Sequence, residues 1–255
     1  MSSWRAKRWA WAAGAAFSLL SAAGASGFEL GQPAECILGQ DCFVQQFADM
    51  EPGSGARDPF CGDATYDGHS GTDLRVLSMA DVAHGVPVLA MADGTVLRLR
   101  DGVADRLALS EADRAAVADM ECGNGVVIGH ADGFETQYCH LRQGSIAVAQ
   151  GDAVKRGDPI GEIGASGMAQ FPHVHVAVRR NGAELDPMTG RELGEGCVAG
   201  AGADPLFAPD VAAALGRGDS VLMAAGLAGG VIDHARLSVD GPPPAAGARS
   251  QAVVA

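Results

Sequence analysis

The chain has 255 residues, enough for one full domain of about 150 residues plus tails or a small second unit. Hydrophobic residues make up 47%, aromatics only 5%, and there are 36 glycines, a composition that predicts many short elements, tight turns and mostly strand. A formal net charge of −13 repels phosphate backbones and excludes nucleic acid as an expected partner; solubility outside the cytoplasm is the simpler meaning of that charge.

The chain opens MSSWRAKRWAWAAGAAFSLLSAAGASGFEL. Arg5, Lys7 and Arg8 precede an apolar run that falls short of the ~20 residues of a comfortable membrane span. Ala23-Gly24-Ala25 supplies a small-residue cleavage signal, so residues 1–25 read as a secretory signal peptide, with an uncleaved anchor helix as the alternative. Location is therefore expected to be periplasmic or secreted, with no stable membrane anchor after cleavage. All six cysteines lie beyond the leader, which fits an oxidising compartment and up to three disulfides. Cys36 with Cys42 would close a short loop, Cys122 with Cys139 would bridge neighbouring strands, and Cys61 with Cys197 follows by elimination.

Residues 26–65 read as an irregular, cysteine-bearing lead-in. From Tyr66 short apolar runs alternate with glycines: TDLRVLS, then GVPVLAMADGTVLRLR, where ADG reads as a hairpin turn. Residues 101–120 break this rhythm with alanines, charges and the capping pattern SEAD, which predicts a short acidic surface helix inserted between strands. NGVVIGHADGFETQYCHL follows as two strands joined at HADG, and SIAVAQGDAVKRGDPIGEIGASG leads into FPHVHVAVRRNG, a strand expected inside an antiparallel sheet. Residues 198–255 read as a C-terminal extension, either a partial β unit with a strand at 220–225 or disordered.

Three segments carry chemistry. In YDGHSGTDLRV, His69 stands four residues before Asp73 with Gly71 between; an imidazole nitrogen and a carboxylate oxygen can share one zinc ion at about 2.0–2.2 Å, though a turn with an ordinary hydrogen-bonded Asp is the other reading. In PHVH, strand alternation puts His173 and His175 on one face, about 6.5–7 Å apart; an isolated pair of this kind is more often two partly exposed strand histidines. In YCHL, alternation turns Cys139 and His140 to opposite faces, which suits a disulfide for Cys139 better than a shared metal. Taken together, His69, Asp73 and His175 make a three-ligand set of the catalytic kind, leaving a fourth zinc position open. His84, His130 and His234 belong to no second recognisable set and read as structural or solvated.

HSGTD, YCHL and PHVH, in that order among glycine-rich β segments, resemble the lysostaphin/LytM-type zinc metallopeptidases that cut peptidoglycan cross-bridges. The resemblance covers roughly residues 66–187. It implies a mainly β domain of antiparallel sheets over residues 66–197, with a Zn2+ cofactor held by His69, Asp73 and His175. It makes His140 and His173 the non-ligand catalytic pair. The implied activity is hydrolysis of peptide bonds in peptidoglycan stem peptides or cross-bridges by a zinc-activated water. Two competitors stand beside it: a non-catalytic peptidoglycan-binding or amidase-activating module, against which the complete residue set argues, and a zinc D-Ala-D-Ala carboxypeptidase, which typically has a wider first His-to-Asp spacing.

Overall fold

The computed structural model describes residues 27–198 and 204–216. The leader, residues 220–225 and His234 lie outside the described residues. Ten strands run in chain order: β1 (Cys42–Gln46), β2 (Thr72–Val76), β3 (Pro87–Leu89), β4 (Gly94–Arg100), β5 (Asn124–Gly129), β6 (Phe134–Leu141), β7 (Ala153–Val154), β8 (Pro159–Glu162), β9 (His173–Arg180) and β10 (Ala183–Leu185). Among the described residues there are three short α-helices, α1 (Met79–His84) and α2 (Glu111–Ala116) between strands and α3 (Pro209–Leu215) after the last of them. The fold is mainly β, and every pairing between strands is antiparallel.

The main sheet has the order β1-β2-β9-β6-β5-β4-β7, while β10 pairs with the far end of β9 and β3 pairs with β8 in a separate two-stranded sheet. Alternation decides what each face carries. In β9, Val174, Val176 and Val178 are fully buried, and opposite them in β2 Leu74 is buried as well. The residues between them, His173 and His175 in β9 and Asp73 and Arg75 in β2, turn to the other face. Next to β9, β6 buries Thr136 and Tyr138 in the core; the Tyr138 hydroxyl accepts from the Met91 amide at 2.7 Å and ties the segment after β3 to the sheet.

Helix α2 forms where the SEAD pattern places it, with Ser110 as N-cap accepting from the Asp113 amide and the Asp113 carboxylate reaching back to Ser110. The three expected cysteine pairs are disulfides: Cys36–Cys42, Cys61–Cys197 and Cys122–Cys139. HADG is a hairpin connection, with Asp132 and Gly133 both at positive φ between the paired strands β5 and β6.

Other expectations are corrected. ADG at 92–94 is not a hairpin turn, because β3 pairs with β8 whereas β4 pairs with β5 and β7; the chain there passes from one sheet to the other. The lead-in is not wholly irregular, since its Cys42–Gln46 segment is the edge strand against β2. His84 closes helix α1, whose capping box of Ser78 and Asp81 sits inside a run that reads as strand and loop by hydropathy alone. In the C-terminal extension, residues 204–216 return to the body of the fold: Phe207 bridges to Leu30, and Leu215 of α3 is buried.

Candidate metal centre

Asp73 and His175 face each other directly across the β2–β9 pair. Their Oδ1 and Nδ1 atoms are 2.8 Å apart. His69 reaches the same point from the turn before β2, with Nε2 at 3.1 Å from Asp73 Oδ1 and 3.2 Å from His175 Nδ1. The turn comes that close because residue 71 is glycine: a Cβ there would stand 2.3 Å from the Val176 carbonyl oxygen and 2.8 Å from His175 Cε1.

The chemistry of this trio fits a cation. His69 Nδ1 donates to the Phe47 carbonyl at 2.6 Å, so in its neutral form Nε2 carries a lone pair, aimed at a carboxylate oxygen and a second imidazole nitrogen. Something positive has to sit among them, a proton or a metal. The protonation balance says the same: burial opposes charge on Asp73, but hydrogen bonds from His175 and His69 outweigh it and hold the carboxyl well below its usual range. Burial likewise lowers His69, yet the Asp73 carboxylate raises it on balance. Tetrahedral zinc bonds of about 2.0–2.1 Å would put donor atoms about 3.3 Å apart, close to the triangle found. His69, Asp73 and His175 therefore form a site with the donors for a metal.

Two further histidines flank the trio. The His173 ring is buried, its Nδ1 donates to the Phe171 carbonyl at 2.7 Å, and its Nε2 lies 3.6 Å from Asp73 Oδ1. His140 Nδ1 donates to the Ser166 carbonyl at 2.8 Å, and its ring centroid is 4.5 Å from that of His173 and 6.1 Å from that of His175. Each carbonyl partner assigns the ring proton to Nδ1 and leaves an Nε2 lone pair toward the site. Burial lowers the pKa of both rings, and for His140 the neighbouring His173 and His175 add to that effect.

His140 arrives there against the expected alternation. Cys139 is the residue opposite His175 in the β6–β9 pair, so regular pleating would send His140 to the core. Instead His140 has a φ of 62°, the register slips between Asn124 and Val126 of the neighbouring strand, and Leu141 takes the core position. Cys139 and His140 thus share a side, and the Cys139 sulfur is committed to its disulfide with Cys122.

Residues not singled out from sequence complete the surroundings. Tyr66 is half exposed and stacks on His69 at 4.6 Å; the Asp49 carboxylate accepts from the amides of Gly68, Glu51 and Arg57 and shapes the turn that carries His69. Phe47 and Ser166 act through backbone carbonyls, for which no side-chain signal exists. His84 and His130 stay apart from the trio; His130 Nδ1 bonds the Asp93 carbonyl and its Nε2 lies 2.8 Å from Thr136 Oγ1.

Comparison with known proteins matches residues 67–187 to Peptidase family M23. A stretch of 67 residues is 42% identical to "DD-carboxypeptidase/endopeptidase Mpg" of Neisseria meningitidis, covering 26% of this chain and 15% of that protein. A longer stretch of 121 residues is 30% identical to an uncharacterized metalloprotease of Haemophilus influenzae, covering 48% of this chain and 20% of that protein. The chain thus spans a small part of the length of these curated relatives. Among solved structures, a mutant catalytic domain of the prophage-encoded M23 protein EnpA from Enterococcus faecalis is 24% identical, with a TM-score of 0.41 over 60% of this chain and 94% of that one.

Proposed function

We propose that this chain, which carries a peptidase family M23 domain over residues 67–187, is an exported zinc endopeptidase that hydrolyses peptide bonds in peptidoglycan cross-links. The observation that supports this reading most is the convergence of His69, Asp73 and His175 within 3.2 Å of one another, beside two neutral, buried histidines. Zinc held by His69, Asp73 and His175 would supply Lewis acidity toward a water and toward the scissile carbonyl. The protein's own groups do the rest. One of the pair His140 and His173 accepts a proton from the attacking water at Nε2 and passes it to the amine nitrogen as the C–N bond breaks, while the other hydrogen-bonds the developing oxyanion. The second proton of the water follows to the same nitrogen, so that amide and water become carboxylate and ammonium.

Neither histidine needs a further base. Their Nδ1 protons are anchored on Ser166 and Phe171 carbonyls, which holds both rings in one orientation through the reaction. Three disulfides fit an oxidising compartment and hence the export expected from the leader.

The test is product analysis. Purified sacculi incubated with the zinc-loaded protein should yield new muropeptide monomers by mass spectrometry, abolished by chelator and restored by Zn2+. The name of the Neisseria relative joins a DD-carboxypeptidase to an endopeptidase, so release of free D-alanine belongs in the same assay. Sacculi left intact, with the protein merely bound, would overturn the hydrolase reading in favour of a binding module.

A further inference from the structure

We infer that Arg75 is a carboxylate-binding subsite that makes the enzyme selective for peptides with a free carboxylate on the residue supplying the scissile amine. The inference deepens the proposed hydrolase function and rests on it for the location of the scissile bond.

Arg75 lies on the same face of β2 as Asp73 and directly opposite His173 of β9. Its guanidinium is half-buried over the Phe171 ring, 5.0 Å from the centroid, and Phe171 in turn lies 4.4 Å from the His173 ring. The side chain is held in place by neutral oxygens alone: Nη1 donates to Gln45 Oε1 at 2.8 Å and Nε to the Val76 carbonyl at 3.3 Å. Most other arginines of the described residues have a carboxylate within 4.0 Å, among them Arg142 with Glu162 and Arg179 with Glu184. Arg75 has none among the described residues, although acidic residues outnumber basic ones by 31 to 18 in the chain. A fixed, partly dehydrated guanidinium without a counter-charge beside a candidate catalytic histidine is arranged for an anion from outside.

The spacing selects which anion. Arg75 and His173 sit one pleat period along the sheet from Asp73 and His175, about 6.5–7 Å. In a peptide, a carboxylate on the amine-side residue stands three bonds from the scissile carbon, roughly 3 to 4 Å away. A charge-assisted contact of about 2.8 Å bridges the remainder. Direct cross-links made on the side-chain amine of diaminopimelate have such a carboxylate, because the carbon bearing that amine also bears one; the amine-bearing carbon of a lysine side chain has none. A terminal D-alanine has one too. A glycine bridge has an amide in that place and would leave Arg75 unpaired.

Four synthetic probes test this with the full chain loaded with zinc. Two contain D-alanine joined to the side-chain amine of diaminopimelate, with the neighbouring carboxylate free in one and amidated in the other. Two are acyl peptides ending in D-Ala-D-Ala, as the free acid and as the amide. Turnover is read as kcat/KM, and binding to the turnover-deficient His140→Ala protein is read as Kd by calorimetry. The free acid of at least one pair should be preferred by about 10- to 100-fold in both readouts, mainly through KM. Which pair shows the larger ratio tells the cross-link from the chain terminus as the source.

Arg75→Gln should bring the ratio within about twofold of one, with zinc content and melting curve unchanged, and Arg75→Lys should keep part of it. Equal handling of acid and amide by the wild type, or a preference that survives in Arg75→Gln, overturns the subsite. Should the Gln variant fail to fold, an undiminished preference in Arg75→Lys overturns it instead. A Kd preference lost in an Arg75→Gln/His140→Ala double variant supports the subsite even if no probe is cleaved, and in that case the hydrolase reading alone falls.

Discussion

The Nδ1 atom of His69 donates to the Phe47 carbonyl at 2.6 Å, across 22 residues of chain. Phe47 lies before residue 67, where the family match begins, so a segment outside the matched domain sets the tautomer and aim of a candidate metal ligand. The Asp49 amide returns a bond to the His69 carbonyl at 2.7 Å, and the Asp49 side chain accepts from three amides around the turn. Asp49→Ala should therefore weaken zinc binding by about 10- to 100-fold with every ligand intact, as loss of groups that support ligands typically does. Chelator competition against the wild type measures it, and equal affinity would show that the turn holds itself.

Ligand and non-ligand histidines should separate cleanly. His175→Ala is expected to lose metal and activity together. His140→Ala should retain close to one zinc per chain while turnover falls by about 10²–10⁴-fold. Metal content by plasma mass spectrometry, beside the sacculus assay, decides; a His175→Ala protein with full zinc would contradict the ligand assignment.

Gly71 is a steric requirement. Its ideal Cβ meets the Val176 carbonyl oxygen at 2.3 Å and two His175 ring atoms at 2.8 Å, and a carbonyl in a paired strand cannot step aside. Gly71→Ala should cost about 1–3 kcal/mol of stability and lower zinc occupancy. Denaturant unfolding and metal analysis of the same sample report the two effects, and a wild-type midpoint would refute the clash.

The Cys61–Cys197 disulfide joins the turn-rich segment ahead of the domain to the segment after β10, across a separation of 136 residues. Removing it with Cys61→Ser/Cys197→Ser should reduce unfolding free energy by about 2–5 kcal/mol, because the cross-link restricts a long loop of the unfolded chain. Urea titrations of the oxidised wild type and the double variant test this. Overlapping curves would mean that packing alone fixes the segment.

Asp186 is fully buried and accepts from Thr189 Oγ1 and, at 3.3 Å, the Met188 amide. Burial pushes its carboxyl up to about 6, against those hydrogen bonds. A folded pKa above the unfolded one means that protonation favours the fold: the contribution is complete below about 4 and is lost as pH rises through about 6. Lowering the pH from 7 to 5 should therefore raise the wild-type stability relative to Asp186→Asn by about 1 kcal/mol from this group, because pH 5 still lies between the folded value of about 6 and the unfolded one. Paired melting curves at the two pH values measure the difference, and a gap that stays constant would show that Asp186 does not titrate in this range.

Much of this architecture is legible along the chain because its causes are local. The period-two pattern of HVHVAV separates valines from histidines, and the Ser-x-x-Asp spacing at 110–113 caps α2. The order of HSGTD, YCHL and PHVH assembles the five residues that the fold then gathers. What stayed illegible depends on partners distant in sequence. ADG at 92–94 has the composition of a hairpin turn, but whether two flanking strands pair is decided by the competing edges of β8, β5 and β7.

His140 shows the division most clearly. Its residue type is a property of the sequence, and so is its place in a strand. Which side of that strand it faces is not, because a one-residue slip against β5 gives the backbone a left-handed φ of 62° and turns the ring from the core to the candidate metal centre. The same holds for Arg75, an ordinary strand arginine in TDLRV. Only the register that sets it opposite His173, and the stack on Phe171, leave its charge without a carboxylate partner among the described residues, beside the candidate metal centre. Sequence alone determined which chemical groups this protein brings and roughly where its strands lie. Pairing between strands, which responds to the whole sheet rather than to any neighbour in the chain, decided how those groups meet.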